Sequence, residues 1–90
     1  MSSLEQALRA AYLNREALLS ELHHQATDCY RLFHGSQEGA PGLTVDRYGP
    51  LLLVQSFHQT LERGALLALH EQTCTNLGTR LLLAYNDRSQ

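Results

Sequence analysis

The polar residues of this 90-residue chain that are best placed to bind a ligand or to act in catalysis lie between positions 27 and 49, near the ends of two short apolar runs. They are Arg31, His34, Asp46, Arg47 and Tyr48. If the two runs are neighbouring strands of a sheet, these side chains can converge on one surface. Guanidinium groups bind phosphates and carboxylates through paired hydrogen bonds, so the pattern indicates a contact surface for RNA or for another domain. The plainer interpretation is that Asp46 and the arginines pair with one another and close the turns.

A glycine-rich loop separates the two runs. Glycine permits positive φ angles and close backbone approach, and proline followed by glycine is typical of a type II turn. The loop joins two predicted strands and does not open a helix, so it differs from the glycine-rich turns that hold nucleotide cofactors. We therefore predict a structural role for this loop and no cofactor-binding residue. The residues with this predicted structural role are Gly35, Gly39, Pro41, Gly42, Asp46 and Gly49.

The cysteines and histidines form no recognisable catalytic or metal-binding pattern. Cys29 and Cys74 are far apart, and no histidine or lysine is placed to activate the Cys29 thiol. The 5 histidines are scattered, and the adjacent His23 and His24 would point to different sides of a helix. The sequence predicts neither a catalytic residue nor a metal ligand.

Composition limits the class of partner. The formal net charge is −2 and the pI is about 6.2, whereas a domain that grips nucleic acid by itself is usually basic. Because the net charge is negative, RNA binding, if present, is expected to be weak and to use a local arginine cluster. All 7 cationic side chains are arginines. No apolar run approaches the ~18 residues of a membrane span. Without an apolar signal segment, and with separated cysteines, the sequence predicts a soluble cytoplasmic protein with no membrane partner.

The spacing of apolar residues predicts an α+β fold. The predicted helices are residues 3–25 and 61–77, and the predicted strands are residues 30–34, 43–47, 51–57 and 80–85. We predict that Thr60 caps the second helix and that Gly78 ends it. The expected architecture is a leading amphipathic helix followed by a small mixed β-sheet with one right-handed crossover helix, in the order β-β-β-α-β. The expected divisions are a helical lead segment, residues 1–26, and a small α/β module, residues 27–90.

Two apolar patterns indicate what must be buried. The leading helix carries a stripe on one face: Leu4, Leu8, Ala11, Leu18 and Leu22. An isolated helix of this length is only marginally stable, so the stripe must pack on the rest of the chain or on the same helix of a second copy, which would give a homodimer. The run from Leu51 to Val54 is apolar at every position, which predicts a strand buried on both faces of the sheet.

The segment between residues 27 and 88 resembles one known family. The matching residues are Tyr30-Arg31-Leu32, His34-Gly35, Gly39, Pro41-Gly42-Leu43, Val45-Asp46-Arg47-Tyr48-Gly49, Leu52 to Gln55, and Tyr85-Asn86-Asp87-Arg88. In this pattern the chain is similar to class I S-adenosylmethionine-dependent methyltransferases related to the bacterial 5-methylcytosine methyltransferases of large-subunit ribosomal RNA. The string from Pro41 to Gly49 is the most specific part of the resemblance.

The resemblance implies a small non-catalytic α/β region that precedes a Rossmann-like catalytic domain. It implies that the chain is an amino-terminal fragment, that the missing catalytic domain is its partner, and that the full-length protein binds S-adenosylmethionine there. The residues expected to contact RNA or that domain are Arg31, His34, Arg47 and Arg88. Better-known members begin with a basic RNA-binding domain, and here the leading helix stands in its place. The alternative is a stand-alone protein-interaction or dimerisation domain with no role in methyl transfer.

Overall fold

Seven helices and strands form in the computed structural model, which describes residues 3–38, 40 and 42–89. In chain order they are α1 Ser3–His24, β1 Cys29–His34, α2 Gly35–Glu38, β2 Leu43–Tyr48, β3 Leu51–Ser56, α3 Arg63–Leu77 and β4 Leu82–Asp87. The predicted α+β class is confirmed, and the predicted helices and strands form within a few residues of their expected bounds. The short helix α2 has no counterpart in the sequence prediction, because it forms inside the glycine-rich loop.

The strands make one four-stranded mixed sheet in the order β1-β2-β3-β4. The pairs β1–β2 and β2–β3 are antiparallel, and β3–β4 is parallel. Gly49, with a φ of 57°, lies in the short turn between β2 and β3. Parallel neighbours need a crossover connection, and α3 provides it between β3 and β4.

Both α1 and α3 pack on the same face of the sheet, the inner face. Strand β3 alternates accordingly: Leu52 and Val54 are fully buried, whereas Leu51 and Leu53 are only partly buried. The prediction that this strand is buried on both faces is wrong, because both long helices lie on one side and leave the other uncovered. The core comprises Leu8, Ala11, Leu19, Leu32, Phe33, Leu43, Val45, Leu52, Val54, Leu69, Cys74 and Leu81.

Helix α1 packs on the sheet of its own chain, through a stripe that differs in part from the predicted one. Leu8 and Ala11 are buried as predicted, but Leu18 is 59% exposed and Leu19 is buried instead. Leu8 and Leu19 are separated by about three full turns of helix, so they point in the same direction. Leu18 is rotated about the helix axis by about 100° from Leu19, so its side chain points away from the sheet.

Helix α3 begins two residues later than predicted because Thr60 is engaged elsewhere. The Thr60 hydroxyl donates to the Asp87 carboxylate, and Glu62 is the N-cap residue without a side-chain capping bond. Gly78 ends the helix as predicted, with a φ of 69°. The Gln72 side chain donates to the main-chain oxygen of Glu5 at 2.9 Å, which joins α3 to α1. Among the described residues, no helix combines the length and the hydropathy needed to cross a membrane.

Candidate functional site

The face of the sheet opposite the helices, the open face, presents side chains from all four strands. The cross-strand register places them in three rows, which are Cys29–Tyr48–Leu51–Leu82, Arg31–Asp46–Leu53–Ala84 and His34–Thr44–Gln55–Asn86. On this face Leu82 is 69% exposed and Tyr48 is 48% exposed. A contiguous exposed apolar surface with polar residues around it is typical of an interaction site.

An ion pair between Arg31 and Asp46 lies in the middle row. Arg31 donates from Nε to Oδ1 at 2.8 Å and from Nη2 to Oδ2 at 3.2 Å, which makes the pair bidentate. Asp46 is only 5% exposed, whereas the Arg31 side chain is 46% exposed. These hydrogen bonds raise the pKa of Arg31 above its ordinary value, although desolvation opposes the shift. Arg31 is thereby held in one orientation, and its Nη1 has no hydrogen-bond partner within the described part of the chain.

Arg47 follows Asp46 in β2, so its side chain leaves the strand toward the opposite, inner face. Its Nη1 donates to the Tyr30 hydroxyl at 2.7 Å, and its Nε donates to the Gly49 carbonyl at 2.9 Å. The same Tyr30 hydroxyl lies 2.5 Å from Nε2 of His23, at the end of α1. Arg47 therefore joins β1, β2 and α1 within the fold, away from the open face.

His34 and Arg88 lie at the same end of the sheet but at opposite edges. His34 is the last residue of β1, and Arg88 follows the last residue of β4. Three interstrand spacings, about 14 Å, separate β1 from β4. The main-chain N–H of His34 donates to Glu38 at 2.9 Å, and its ring Nδ1 is buried without a partner among the described residues. The Arg88 guanidinium lies 5.5 Å from the centroid of the Phe57 ring. The predicted contact residues therefore do not form one cluster, and only Arg31 lies in the middle row of the open face, on the edge strand β1.

The glycine-rich loop is shaped by close backbone approach. A Cβ atom on Gly35 would lie 1.9 Å from the carbonyl oxygen of Ala40, so only glycine fits there. Gly42 has a φ of 83°, and a Cβ atom on it would lie 2.3 Å from the His58 ring. The predicted structural role is thus explained for these two glycines. Two of the predicted loop residues lie outside the described residues: Gly39 and Pro41.

An ion pair that the sequence interpretation missed anchors this loop to α1. Arg15 donates from Nη1 and Nη2 to the two carboxylate oxygens of Glu38, both at 2.6 Å. These bonds are the main reason that the pKa of Glu38 lies below its usual value; burial opposes the shift and the His34 N–H contributes to it. Arg15 and Glu38 are 23 positions apart, so no local spacing signals the pair. Only the packing of α1 beside β1 brings them together.

The connection at which an open α/β sheet would hold S-adenosylmethionine lacks the glycine-rich turn that is typical of cofactor-binding units. Open α/β sheets bind cofactors at the carboxyl ends of parallel strands, and the groove beside Ser56 at the end of β3 has a volume of about 260 Å³. The connection from β3 to α3, residues 57–62, contains no glycine. The Thr60–Asp87 hydrogen bond also links this connection to the end of β4. Nowhere in residues 3–38, 40 and 42–89 do three or more His, Cys, Asp or Glu side chains group as metal ligands would.

The chain matches no protein-family model, and no curated protein is significantly similar to it. The resemblance to the methyltransferase family therefore rests on the motif residues themselves. Most of those residues belong to β1, β2 and β3, which are three of the four strands that form the open face.

Proposed function

We propose that this chain is a non-catalytic, amino-terminal region of an S-adenosylmethionine-dependent RNA methyltransferase, which uses the open face to position RNA or the catalytic domain. The observation that supports this proposal is the position of the family-like residues. Arg31, Asp46 and Tyr48 all belong to the resembling segment, and all three lie on the uncovered side of the sheet. The segment therefore supplies an accessible surface as well as part of the core.

The chemistry of the open face is appropriate for a contact role. Arg31 has a fixed guanidinium with an unbonded Nη1, which can donate to a phosphate or a carboxylate. Tyr48, in the neighbouring row, is exposed and can stack on a base or pack against an apolar side chain. With a net charge of −2, the chain gains little from long-range attraction to RNA, so binding is weak and depends on salt. In this proposal the protein is cytoplasmic, and the cofactor binds elsewhere in the full-length enzyme.

Amide chemical shifts of the isotope-labelled chain, titrated with a fragment of large-subunit ribosomal RNA, test the proposal. At low salt we expect the changes to cluster on β1, β2 and β3, and to shrink as the salt concentration rises. Changes centred on α1 and α3, or no change at low salt, would reject an RNA-positioning role. That result would favour the alternative of a stand-alone protein-interaction domain.

A charge-neutral variant separates a specific contact at Arg31 from general electrostatics. Removing Arg31 alone would leave the buried Asp46 carboxylate unpaired, so Arg31→Gln is combined with Asp46→Asn. We expect about tenfold weaker RNA binding, the equivalent of one charge-assisted hydrogen bond of ~1.5 kcal/mol. The control is Arg63→Gln, which removes a positive charge at the exposed start of α3. If this control weakens binding as much as the double variant does, the contact is not specific to the open face.

A further inference from the structure

Tyr48 and Arg31 place two flat groups side by side on the open face. Tyr48 lies opposite Cys29 in the register of β1 and β2, and Arg31 is two residues further along β1. The two residues are therefore diagonal cross-strand neighbours, whose attachment points lie about 7–8 Å apart. The pKa of Arg31 is raised chiefly by its hydrogen bond to Asp46 and also by Tyr48, which is consistent with this proximity. Both side chains are about half exposed.

The Arg31 guanidinium is held in a way that leaves its flat faces unbonded. Its two hydrogen bonds to Asp46 come from Nε and Nη2, and the hydrogen bonds of a guanidinium lie in its own plane. Nucleic-acid bases stack on arginine planes as well as on aromatic rings. Tyr48 and Arg31 therefore provide two neighbouring surfaces on which bases can stack.

The charge of the open face is too low to hold a double helix. Arg31 is the only arginine or lysine in the three rows, and Asp46 opposes its charge. Affinity for duplex RNA comes mainly from contacts with phosphates and 2′-hydroxyls, because its bases are paired and stacked. A face with one compensated cation gains little from such contacts, whereas stacking on flat side chains requires no net charge.

The spacing of the two flat groups also selects against a duplex. In a duplex, successive bases are stacked about 3.4 Å apart. Two bases that rest on Tyr48 and on Arg31 must be separated by about the 7–8 Å of the diagonal pair, so they cannot stack on each other. Only an unpaired segment can spread two neighbouring bases in this way.

We propose that the RNA accepted by the open face is single-stranded, and that two unstacked nucleotides place their bases on Tyr48 and on Arg31. This inference rests on the function proposed above and specifies the class of RNA that the face accepts. The bases supply most of the affinity, and the free Nη1 of Arg31 adds a single contact to the backbone.

Fluorescence anisotropy at low salt with three labelled RNAs tests this inference. The first is a strand without self-complementarity, the second is that strand annealed to its complement, and the third is an abasic strand of the same length. The abasic strand keeps the phosphates and lacks the bases. We expect the single strand to bind at least about tenfold more tightly than either of the other two.

The three RNAs separate failure of this inference from failure of the proposed function. If the duplex or the abasic strand binds as tightly as the single strand, base stacking is rejected, but a role in positioning RNA is retained. If none of the three binds, both the inference and the RNA-positioning role are rejected.

Variants of Tyr48 test the ring itself, and its exposure makes loss of folding easy to avoid. Tyr48→Phe keeps the ring and should bind the single strand within about twofold of the unmodified chain, whereas Tyr48→Leu should bind at least about fivefold more weakly. The control is Leu82→Ala, a change at a position of the same row that is 69% exposed. It should leave binding unchanged.

Circular dichroism confirms that each variant is folded before its affinity is compared. A folded Tyr48→Leu protein that binds as well as Tyr48→Phe would overturn the inference, because the ring would then contribute nothing. Equal weakening by Tyr48→Leu and Leu82→Ala would also overturn it, since the contact would then be a general apolar one.

Discussion

Asp46 shows how a carboxylate can be buried on a sheet face that no helix covers. Its side chain points away from the core, yet its bidentate contact with Arg31 and the flanking Leu53 reduce its exposure to 5%. The aspartate also restricts Arg31, so side-chain entropy is lost on folding and not on binding. A guanidinium fixed in this way is better prepared to contact a partner than a mobile arginine is.

The Arg15–Glu38 pair makes stability depend on pH in a defined direction. Because the pKa of Glu38 is lower in the folded chain, its ion pair stabilises the fold at pH values above the ordinary carboxylate pKa of about 4.3. This contribution is lost as the pH falls through the lowered folded-state pKa. We expect Glu38→Gln to cost about 1–3 kcal/mol at pH 7. The difference from the unmodified chain should narrow in strong acid, as measured by urea unfolding at a series of pH values.

The matched control for Glu38 is Glu71→Gln. Glu71 also pairs with an arginine, Arg80, but both side chains are about two-thirds exposed. Solvent screens such pairs, so this variant should lower the free energy of unfolding much less than Glu38→Gln does. A Glu38 variant that behaves like the Glu71 variant would show that the link from α1 to the loop contributes little to stability.

At the scale of single residues, the sequence predicted the types of interaction better than it predicted which residues interact with each other. The pairing of Asp46 with an arginine, one of the two interpretations of the motif, is confirmed. The predicted convergence on one surface is wrong for Arg47, because Asp46 and Arg47 are adjacent in a strand and must point to opposite faces. The other four residues lie in the rows of the open face: Arg31, His34, Asp46 and Tyr48. Which arginine pairs with Asp46 depends on the register of β1, and the bulge between Arg31 and Phe33 is not visible in the sequence.

At the scale of elements, the two leucines of α1 that were predicted to be equivalent should behave differently on mutation. Leu8 is 7% exposed and Leu18 is 59% exposed. Leu8→Asp puts a charge into the core and should cost more than about 3 kcal/mol. Leu18→Asp should change the free energy of unfolding by no more than about 0.5 kcal/mol. Urea unfolding followed by circular dichroism measures both, and an equal loss from the two variants would contradict the packing of α1.

The periodicity of apolar residues located every helix of more than one turn and every strand, because each has a clear face or an apolar run. The phase of α1 was harder to predict, since Leu18 and Leu19 are adjacent and both are compatible with a three- and four-residue spacing. The open face was missed because Leu51 to Val54 has no polar residue to mark its exposed side. The loop helix α2 has too few residues for a periodic signal.

At the scale of the whole molecule, the geometry predicts little affinity for S-adenosylmethionine. The β3–α3–β4 crossover has the topology of a cofactor-binding unit, but the connection from β3 to α3, residues 57–62, contains no glycine. Within that connection, Thr60 is hydrogen-bonded to Asp87 of β4. We expect calorimetric titration of this chain to give a dissociation constant no tighter than about 1 mM, roughly −4 kcal/mol. Micromolar binding would show that another groove accepts the cofactor.

The shared core of α1 and the sheet restricts how the gene can recombine. Leu8, Ala11 and Leu19 of α1 belong to the same apolar cluster as Phe33 and Val45 of the sheet. A recombination event that replaced the first 26 residues would therefore give a folded protein only if the new segment carried an apolar stripe in the same helical phase. Duplication or transfer of residues 27–90 alone would produce a sheet whose inner face is partly exposed to solvent. The leading helix and the sheet should accordingly be inherited as one unit, with compensating changes between them.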